Sequence, residues 1–334
     1  MSGPGRSVVP AILLALLVAL ATGCATIPGG AERTALASLD ASGPTPPPAS
    51  PSPYTICDTS LAPLPSLPRP GHMPGGALQS IQRRGYLRVG VDLNSLLLSY
   101  QDPRSGSFQG FEIDLVQRIA KAIFGDVRGR IRYVALTTAQ RTTAVGTRTR
   151  PGAVDMVVDA VTMTCRRAAA RAFSAPYFVA RQKLLVPADS AVRGIGDLRG
   201  KRICATAGST SSGIIQPAGA RFVPVQTRID CLVLLQEHRV DAVTSDDAIL
   251  AGLQAQDPTT KIVPLNAPAA IQPPPGPYGV EIRRDPRHRQ LVRFVNAVLE
   301  RMRTAGTWVR LYDKWLEPSL GPGHQPQPTY GSLG

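Results

Sequence analysis

Apolar positions in the larger part of the chain follow two periodicities, one typical of buried strands and one of amphipathic helices. Residues 87–92, 131–136 and 154–160 are short apolar runs rich in β-branched side chains, as expected for strands buried on both faces. Residues 110–125 place apolar side chains at helical spacing and end in Gly125, which suits a helix C-cap. This alternation predicts an α/β fold with a largely parallel, helix-covered sheet.

A second series of elements follows along the chain. Strands are expected near residues 201–206, 240–246 and 278–280, and helices over 76–84, 138–145, 291–302 and 307–316, with one more starting near Cys231. Several strands end in polar groups, as at Thr162 and Arg167 after the strand over 154–160. Open α/β sheets place ligands at the carboxyl ends of their strands. The pattern therefore predicts a small-molecule site, and a solvated strand end is the plainer alternative.

The N-terminus is typical of a targeting segment. Arg6 supplies positive charge, and the apolar residues 8–21 are too few to span a bilayer permanently. The sequence Leu-Ala-Thr-Gly-Cys at residues 20–24 resembles a bacterial lipobox, with Ala where Leu is usual. We expect residues 1–23 to be a lipoprotein signal peptide and Cys24 to carry the lipid. An ordinary signal peptide would instead leave this cysteine as a stray thiol.

Residues 24–75 are rich in Pro, Ser and Gly. This composition cannot bury a core and favours an extended, semi-rigid chain. We expect a Pro-rich tether that holds the globular part clear of the cell membrane, on its extracytoplasmic face.

The charge composition argues against a nucleic-acid partner. The formal net charge is +14, but the basic residues are scattered and aromatic residues make up only 5% of the chain. A nucleic-acid surface needs basic residues clustered with aromatic ones. A basic field of this kind can still attract anionic solutes.

The cysteines indicate disulfides in an exported protein. Apart from Cys24 they form an even set with three possible pairings, and neither their spacing nor the isolated histidines suit zinc. Cys204 lies in a predicted strand and Cys231 at the start of a helix one unit later, which favours a Cys204–Cys231 disulfide. The remaining pair, Cys57–Cys165, would fasten the end of the tether to the globular part. No metal and no cofactor are expected.

Nine short motifs, in this order, resemble the polar amino-acid (glutamate/aspartate/glutamine-type) solute-binding lipoproteins of bacterial ABC importers. They are RVGVD (88–92), GFEID (110–114), VDMV (154–157), TMTxxR (162–167), FSxPY (173–177), DLxGK (197–201), GST (208–210), DAVxxD (241–246) and GTW (306–308). Each motif is weak by itself, whereas the whole set in order over about residues 76–318 is a specific signal.

The resemblance implies a two-lobed, periplasmic-binding-protein-like fold of type II, in which two crossing strands join the lobes. Lobe 1 would comprise residues 76–185 and 274–318, lobe 2 residues 186–273, and residues 319–334 would form a flexible tail. The crossings would lie near Leu185 and near residues 273–278. A ligand that touches both lobes would stabilise the closed arrangement.

The resemblance also implies how the two charged ends of an amino acid would be held. Arg167 matches the clamp for the α-carboxylate, whereas Arg166 is out of register. The other matching positions are Thr162, Ser209 and Thr210 for the carboxylate, and Asp246 and the Ala160 carbonyl for the ammonium. Asp247 is the adjacent alternative to Asp246. A zwitterion that leaves water needs an opposite charge at each end, because an unpaired buried charge is strongly unfavourable.

Two readings of the side-chain contacts remain open. Thr138 and Arg141 match the positions with which glutamate/aspartate-type relatives hold a side-chain carboxylate, whereas Asp92 matches the position that holds an amide in glutamine-type relatives. Thr206 and Ser245 lie at positions that could serve either ligand.

The count of charges decides between these readings only in part. Arg141, Arg167 and Asp246 sum to one positive charge, which balances glutamate or aspartate, and the acidic ligand is therefore favoured. An ionised, inward Asp92 would bring the sum to zero and suit glutamine or asparagine. The plainer structural alternatives are a strand-end cap for Asp92 and a helix-surface charge for Arg141.

We therefore expect a monomeric, membrane-anchored protein that captures a polar amino acid and delivers it to an ABC permease, or reports it to a membrane sensor. A cyclohexadienyl-dehydratase-like enzyme on the same fold is an alternative. Such chemistry needs a general acid in the cleft, for which Asp92 is the sole candidate, so we expect a protein that is not an enzyme. A lipoprotein with an inactive cleft is disfavoured by the presence of Arg167, Thr162 and Asp246.

Overall fold

The computed structural model describes residues 54–147 and 149–331. The expected signal peptide, the expected lipidation site Cys24 and the first part of the expected tether lie outside these residues. None of the helices in the described ranges is long and apolar enough to cross a membrane.

The secondary structure alternates between strands and helices over most of this span. The α-helices are α1 (Ala77–Arg84), α2 (Phe111–Phe124), α3 (Arg141–Ala144), α4 (Cys165–Ala170), α5 (Arg228–Gln236), α6 (Asp247–Gln256), α7 (Arg289–Thr304), α8 (Thr307–Trp315) and α9 (Glu317–Leu320). The strands are β1 (Thr59–Ser60), β2 (Leu87–Val91), β3 (Asn94–Ser95), β4 (Ser99–Gln101), β5 (Phe108–Gln109), β6 (Ile131–Ala135), β7 (Met156–Val157), β8 (Arg171–Phe173), β9 (Phe178–Ala180), β10 (Gln182–Pro187), β11 (Arg202–Thr206), β12 (Arg221–Val225), β13 (Ala242–Asp246), β14 (Thr260–Pro264), β15 (Gly276–Tyr278), β16 (Glu281–Arg283) and β17 (Thr329–Tyr330).

The first lobe is built on a sheet with the strand order β6-β2-β7-β16-β8. Strand β2 runs parallel to β6 and β7, and β16 runs antiparallel to β7 and β8. Helical spacing places the apolar residues of α2, α7 and α8 on one face each, and Phe111, Phe294 and Trp308 from these helices are fully buried. The expected α/β fold with helix-covered strands is confirmed, but the sheet is mixed and not largely parallel as expected, because two of its four strand pairings are antiparallel.

The strand predicted over residues 154–160 is much shorter in the structure. Strand β7 contains only Met156 and Val157, although the apolar run around it is buried. The chain leaves the sheet after Val157, and Ala160 then adopts a left-handed conformation with φ of 48°. The turn that follows carries polar groups to the edge of the sheet.

The second lobe is built on a sheet with the strand order β12-β11-β13-β10-β14. Strand β11 runs parallel to β12 and β13, and β10 runs antiparallel to β13 and β14. Two apolar clusters cover the faces of this sheet, one around Leu184 and Ile203 and the other around Leu185 and Leu250. Each lobe therefore has its own core.

Two short antiparallel strands, β9 and β15, connect the lobes and pair with each other. The second connection lies within the expected residues 273–278. The first lies earlier than the expected position near Leu185, because Leu185 is already paired with Val243 in the second sheet. The two lobes are thus joined by a two-stranded hinge.

The lobes also contact each other away from the hinge. Helix α6 of the second lobe packs against the loop that follows β3 in the first lobe. A Cβ atom added at Gly252 would lie 2.2 Å from the Leu96 carbonyl oxygen, so only glycine permits this approach. The described arrangement is therefore a closed one.

The segment around β1 and the C-terminal strand β17 both pack on the first lobe. Strand β1 pairs in parallel with β17, and the Asn296 amide in α7 donates hydrogen bonds to the Ser60 hydroxyl (2.8 Å) and the Leu61 carbonyl (2.6 Å). The structure thus differs from the expected tether and flexible tail at residues 54–75 and 319–331. Their composition did not indicate this because their hydrogen-bond partners are distant in the sequence.

Two disulfides join the cysteines of the described chain. They are Cys57–Cys165 and Cys204–Cys231, which confirms the favoured pairing. Cys204 and Cys231 are buried between β11 and α5, where the bond joins a strand to the helix that covers it. The other bond joins the N-terminal segment to the first residue of α4.

Candidate functional site

A narrow cleft between the lobes brings together most of the ligand-binding residues that the sequence suggested. The cavity is lined by Thr138, Arg141, Ala160, Thr162, Arg167, Thr206, Ser209, Thr210, Ser211, Arg228, Ser245, Asp246 and Ile249. Asp92 and the alternative Asp247 are the suggested residues that do not line it. The lining combines strand ends of both sheets, as expected for ligand sites of open α/β folds.

Arg167 lies in α4, in the turn that follows the hinge-side end of the first sheet. The Thr164 hydroxyl caps this helix by accepting from the Arg167 amide (3.3 Å), and the Arg167 guanidinium donates to the Thr162 carbonyl (2.8 Å). Burial, reinforced by the nearby positive charge of Arg141, lowers the pKa of Arg167 to about 10. Among the described residues, no carboxylate forms a salt bridge with this guanidinium.

Asp246 lies on the opposite lobe, at the end of β13. Its carboxylate accepts a hydrogen bond of 2.5 Å from the Tyr278 hydroxyl on β15. Burial raises the pKa of this carboxyl above its usual value, and it too has no salt bridge to any described cation. The neighbouring Asp247 does not line the cavity; it is the first residue of α6, and its carboxylate accepts from the Ala248 amide. The geometry thus selects Asp246 from these two candidates.

Ala160 is held in its left-handed conformation by a buried carboxyl group. Its amide donates to Glu112 (2.7 Å), which also accepts from the Tyr177 hydroxyl (2.5 Å). Burial, together with the negative charge of Asp159, raises the pKa of Glu112 to about 7. A non-glycine residue in this conformation is strained and marks a functional position. The anchored amide fixes the carbonyl of Ala160 at the cavity wall.

Hydroxyl groups of both lobes meet across the cleft. The Thr162 and Thr210 oxygens are 3.5 Å apart. In the turn after β11, the Ser209 amide donates to the Thr206 carbonyl (3.2 Å), and the Ser209 hydroxyl accepts from the Ser212 amide (3.2 Å). Internal bonds therefore already use part of Ser209, which leaves Thr210 as the hydroxyl that faces the first lobe.

Arg141 is a buried residue and not a helix-surface charge, since only 4% of it is exposed. Its Nε atom donates to the Thr138 carbonyl (3.3 Å) and lies 3.6 Å from the Asp159 carboxylate. A second guanidinium nitrogen donates to the carbonyls of Asp159 and Ala160. These contacts fix the guanidinium with one side toward the cavity.

Arg228 was missed from the sequence. It is the first residue of α5 in the second lobe, and it reaches into the first lobe to form ion pairs with Asp92 (2.8 Å) and Asp159 (2.7 Å). It also donates to the Ser95 hydroxyl (2.7 Å). Burial acts to lower the pKa of Arg228, but these two carboxylates raise it above its usual value. Asp92 is thus an interlobe ion-pair partner as well as a cap for the turn after β2, where it accepts from Asn94.

The sequence contained weak signals for the cluster formed by Arg228, Asp92 and Asp159. Thr227 and Asp230 form a capping box at the start of α5, a pattern that marks a helix beginning at a strand end. A charged residue at the first position of such a helix, as Arg228 is in α5, lies close to the edge of the sheet. Asp159 within an otherwise apolar run was the matching clue, because a buried carboxylate needs a cation.

Comparisons with known proteins agree with this geometry. Residues 87–318 match the family described as bacterial extracellular solute-binding proteins, family 3. The chain is 28% identical over 243 residues to the ABC transporter glutamine-binding protein GlnH of Bacillus subtilis, covering 72% of this chain and 84% of the relative. It is 25% identical over 260 residues to the glutamate/aspartate import solute-binding protein of Salmonella typhimurium, with 74% and 82% covered.

A solved structure extends the comparison to the fold. The ancestral amino acid-binding protein AncCDT-1, described as a precursor of cyclohexadienyl dehydratase, superimposes with a TM-score of 0.60 at 26% identity, covering 72% of this chain and 99% of that one.

Proposed function

The chain belongs to the bacterial extracellular solute-binding proteins of family 3, and from this premise we propose that it captures a free polar α-amino acid by closure of its two lobes. Glutamate and aspartate are the favoured ligands, and glutamine and asparagine are the alternative. The captured amino acid would be delivered to an ABC importer.

The observation that carries the proposal concerns two residues of opposite charge, Arg167 and Asp246. One is a guanidinium on the first lobe, the other a carboxylate on the second lobe, and both line the cavity without an ion-pair partner among the described residues. Burying unpaired charges is unfavourable. A zwitterion that presents its carboxylate to Arg167 and its ammonium to Asp246 would satisfy both charges and both lobes at once.

The lining favours an acidic side chain on the ligand. Arg141 presents donors to the cavity, whereas the carboxylates of Asp92 and Asp159 lie behind the lining. A side-chain carboxylate accepts hydrogen bonds only and suits such donors. An amide would also need acceptors for its NH₂ group, which the hydroxyls of Thr138 and Thr206 could supply.

The charge balance supports the amide alternative. Including Arg228, Asp92 and Asp159, the cations Arg141, Arg167 and Arg228 are matched by three carboxylates, which suits a ligand without net charge. We place more weight on the groups that line the cavity, because direct contacts are stronger than charges one layer behind.

The family supports a proposal for the location and the partners of the protein. One relative named above is the glutamine-binding protein of an ABC transporter, and another is a glutamate/aspartate import solute-binding protein. We infer an extracytoplasmic protein, anchored through a lipid on Cys24, that acts as a monomer and meets a permease. A membrane sensor that receives the closed lobes is the alternative partner.

Titration calorimetry on the purified full chain tests the proposal. We expect heat of binding with L-glutamate and L-aspartate, weaker binding with L-glutamine, and none with glutarate or 4-aminobutyrate, which lack the α-ammonium and the α-carboxylate respectively. Saturating glutamate should stabilise the fold by about 3–4 kcal/mol when it exceeds its dissociation constant several hundredfold. Binding of glutarate as tightly as glutamate would contradict the role given to Asp246.

A further inference from the structure

A short N-terminal segment, residues 54–57, crosses from one lobe to the other beside the cleft. We call this segment the strap. On the first lobe it is held by the disulfide from Cys57 to Cys165, by the Cys57 amide donating to the Met163 carbonyl (2.9 Å), and by the Cys165 amide donating to the Thr55 carbonyl (2.8 Å). Ile56 forms a bridge with Thr164. The strap is therefore fixed to the lobe that carries Arg167.

The other end of the strap lies on the second lobe. The Tyr54 side chain packs against the apolar cluster around Leu184 and Ile203. Its phenol ring covers the 3-10 helix Ser211–Ile214, where a Cβ atom added at Gly213 would lie 2.6 Å from the Tyr54 oxygen. Partial burial raises the pKa of Tyr54 to about 12. A single side chain thus joins the strap to the lobe that carries Asp246.

The strap also forms a wall of the cleft. Tyr54 and Ile56 line a crevice together with Thr162, Thr210 and Asp246, three residues that also line the ligand cavity. An opening between the lobes at this side would separate Tyr54 from Gly213, because the rest of the strap stays with the first lobe. The contact exists in full only when the lobes are closed.

We propose that the strap is an interlobe latch, in which Tyr54 stabilises the closed arrangement of the lobes and slows the release of the bound ligand. The covalent anchor at Cys57 is three residues away, so Tyr54 meets the second lobe at a high effective concentration and little chain entropy is lost. An aromatic ring buries a large apolar area in such a contact. The latch needs no ligand to form, whereas its effect on ligand release rests on the proposed function.

The distance between the lobes tests the latch in the full chain. Spin labels on unnatural amino acids at the exposed positions Arg132 and Lys201, one in each lobe, leave both disulfides intact, and double electron–electron resonance measures their separation. We expect Tyr54→Ala to shift the ligand-free distribution toward longer distances. Tyr54→Phe, which keeps the ring, should shift the distribution less than Tyr54→Ala does.

Stopped-flow dissociation of glutamate is the second measurement. Tyr54→Ala should release glutamate about tenfold faster, the factor that corresponds to losing roughly 1.4 kcal/mol from the closed state. The matched control is Tyr330→Ala, since Tyr330 is also half-buried but packs on the first lobe. This control should leave both measurements unchanged, which separates a latch from general destabilisation.

The two measurements have separate meanings. A Tyr54→Ala distribution identical to that of the parent protein, or one reproduced by Tyr330→Ala, would overturn the latch. Absence of glutamate binding in the parent protein would count against the proposed ligand, and a shifted distribution would still support the latch.

Discussion

Two sets of charges span the cleft, and they are arranged in opposite ways. Arg228 of the second lobe is already paired with Asp92 and Asp159 of the first. Arg167 of the first lobe and Asp246 of the second face the cavity without ion-pair partners among the described residues. The protein itself therefore supplies some of the ion pairs that stabilise the closed form, and the ligand must supply the others.

This difference explains how the protein can reach the closed form without ligand and still be stabilised further in that form by the ligand. The ion pairs of Arg228 and the contact at Gly252 favour closure at all times, whereas the unpaired charges of Arg167 and Asp246 oppose it. A ligand can shift an equilibrium only by its different affinity for the two states. Neutralising Arg167 and Asp246 together provides that difference.

The largest expected effect is the loss of binding in Arg167→Met. Removing one partner of a buried, hydrogen-bonded charge pair costs about 2–5 kcal/mol, so the affinity for every amino acid should fall by at least about thirtyfold. The ligand-free protein should be as stable as the parent, because no protein carboxylate loses a partner. Calorimetry and urea denaturation measure the two quantities.

A matched variant on the exposed face, Arg166→Met, should change neither quantity. Normal glutamate affinity in Arg167→Met would show that the α-carboxylate is bound elsewhere.

A smaller loss of affinity is expected for Arg228→Met. The variant leaves Asp92 and part of the charge on Asp159 unbalanced in the closed cleft, which costs about 3 kcal/mol or less while Arg141 remains. In the open form water solvates both carboxylates, so closure should suffer more than folding. We expect weaker binding of all ligands and longer interlobe distances in electron resonance. A drop in unfolding free energy with unchanged affinity would assign Arg228 to the folding core instead.

The smallest and most selective effect is expected for Arg141→Gln. Affinity for glutamate and aspartate should fall about tenfold, in the range of one lost charge-assisted hydrogen bond. Affinity for glutamine should change less, because the substituted amide can still donate and accept. Competition calorimetry with both ligands measures the ratio. An equal loss for glutamate and glutamine would remove Arg141 from side-chain recognition.

The sequence predicted most of the elements because their periodicity is local. Helix α2 was expected over residues 110–125 and observed at Phe111–Phe124, and the expected helix over 291–302 is observed as Arg289–Thr304. The helix expected over 138–145 is only Arg141–Ala144. There the guanidinium of Arg141 is turned inward by buried carbonyls, a tertiary effect with no local pattern.

The sequence predicted the site residues that match a motif one at a time. It did not predict the residues that act as pairs across the two lobes. Thr138 and Thr206 line the cavity as suggested. The pairing of Arg228 with Asp92 joins residues 136 positions apart, and no spacing rule connects them. The strap was hidden for a related reason, since a Pro-rich composition describes a segment's own preferences and not the surface on which it rests.

The pairing of β1 with β17 has a mechanical consequence. Strand β17 and the segment from Cys57 to β1 lie on the same half of the molecule, β9 and β15 lead into the other half, and Tyr54 packs on that other half. A hold on β17 therefore keeps its own half stationary, while the half containing Asp246 moves once the Tyr54 contact has opened. A receptor that senses occupancy need only detect the position of the half that contains Asp246.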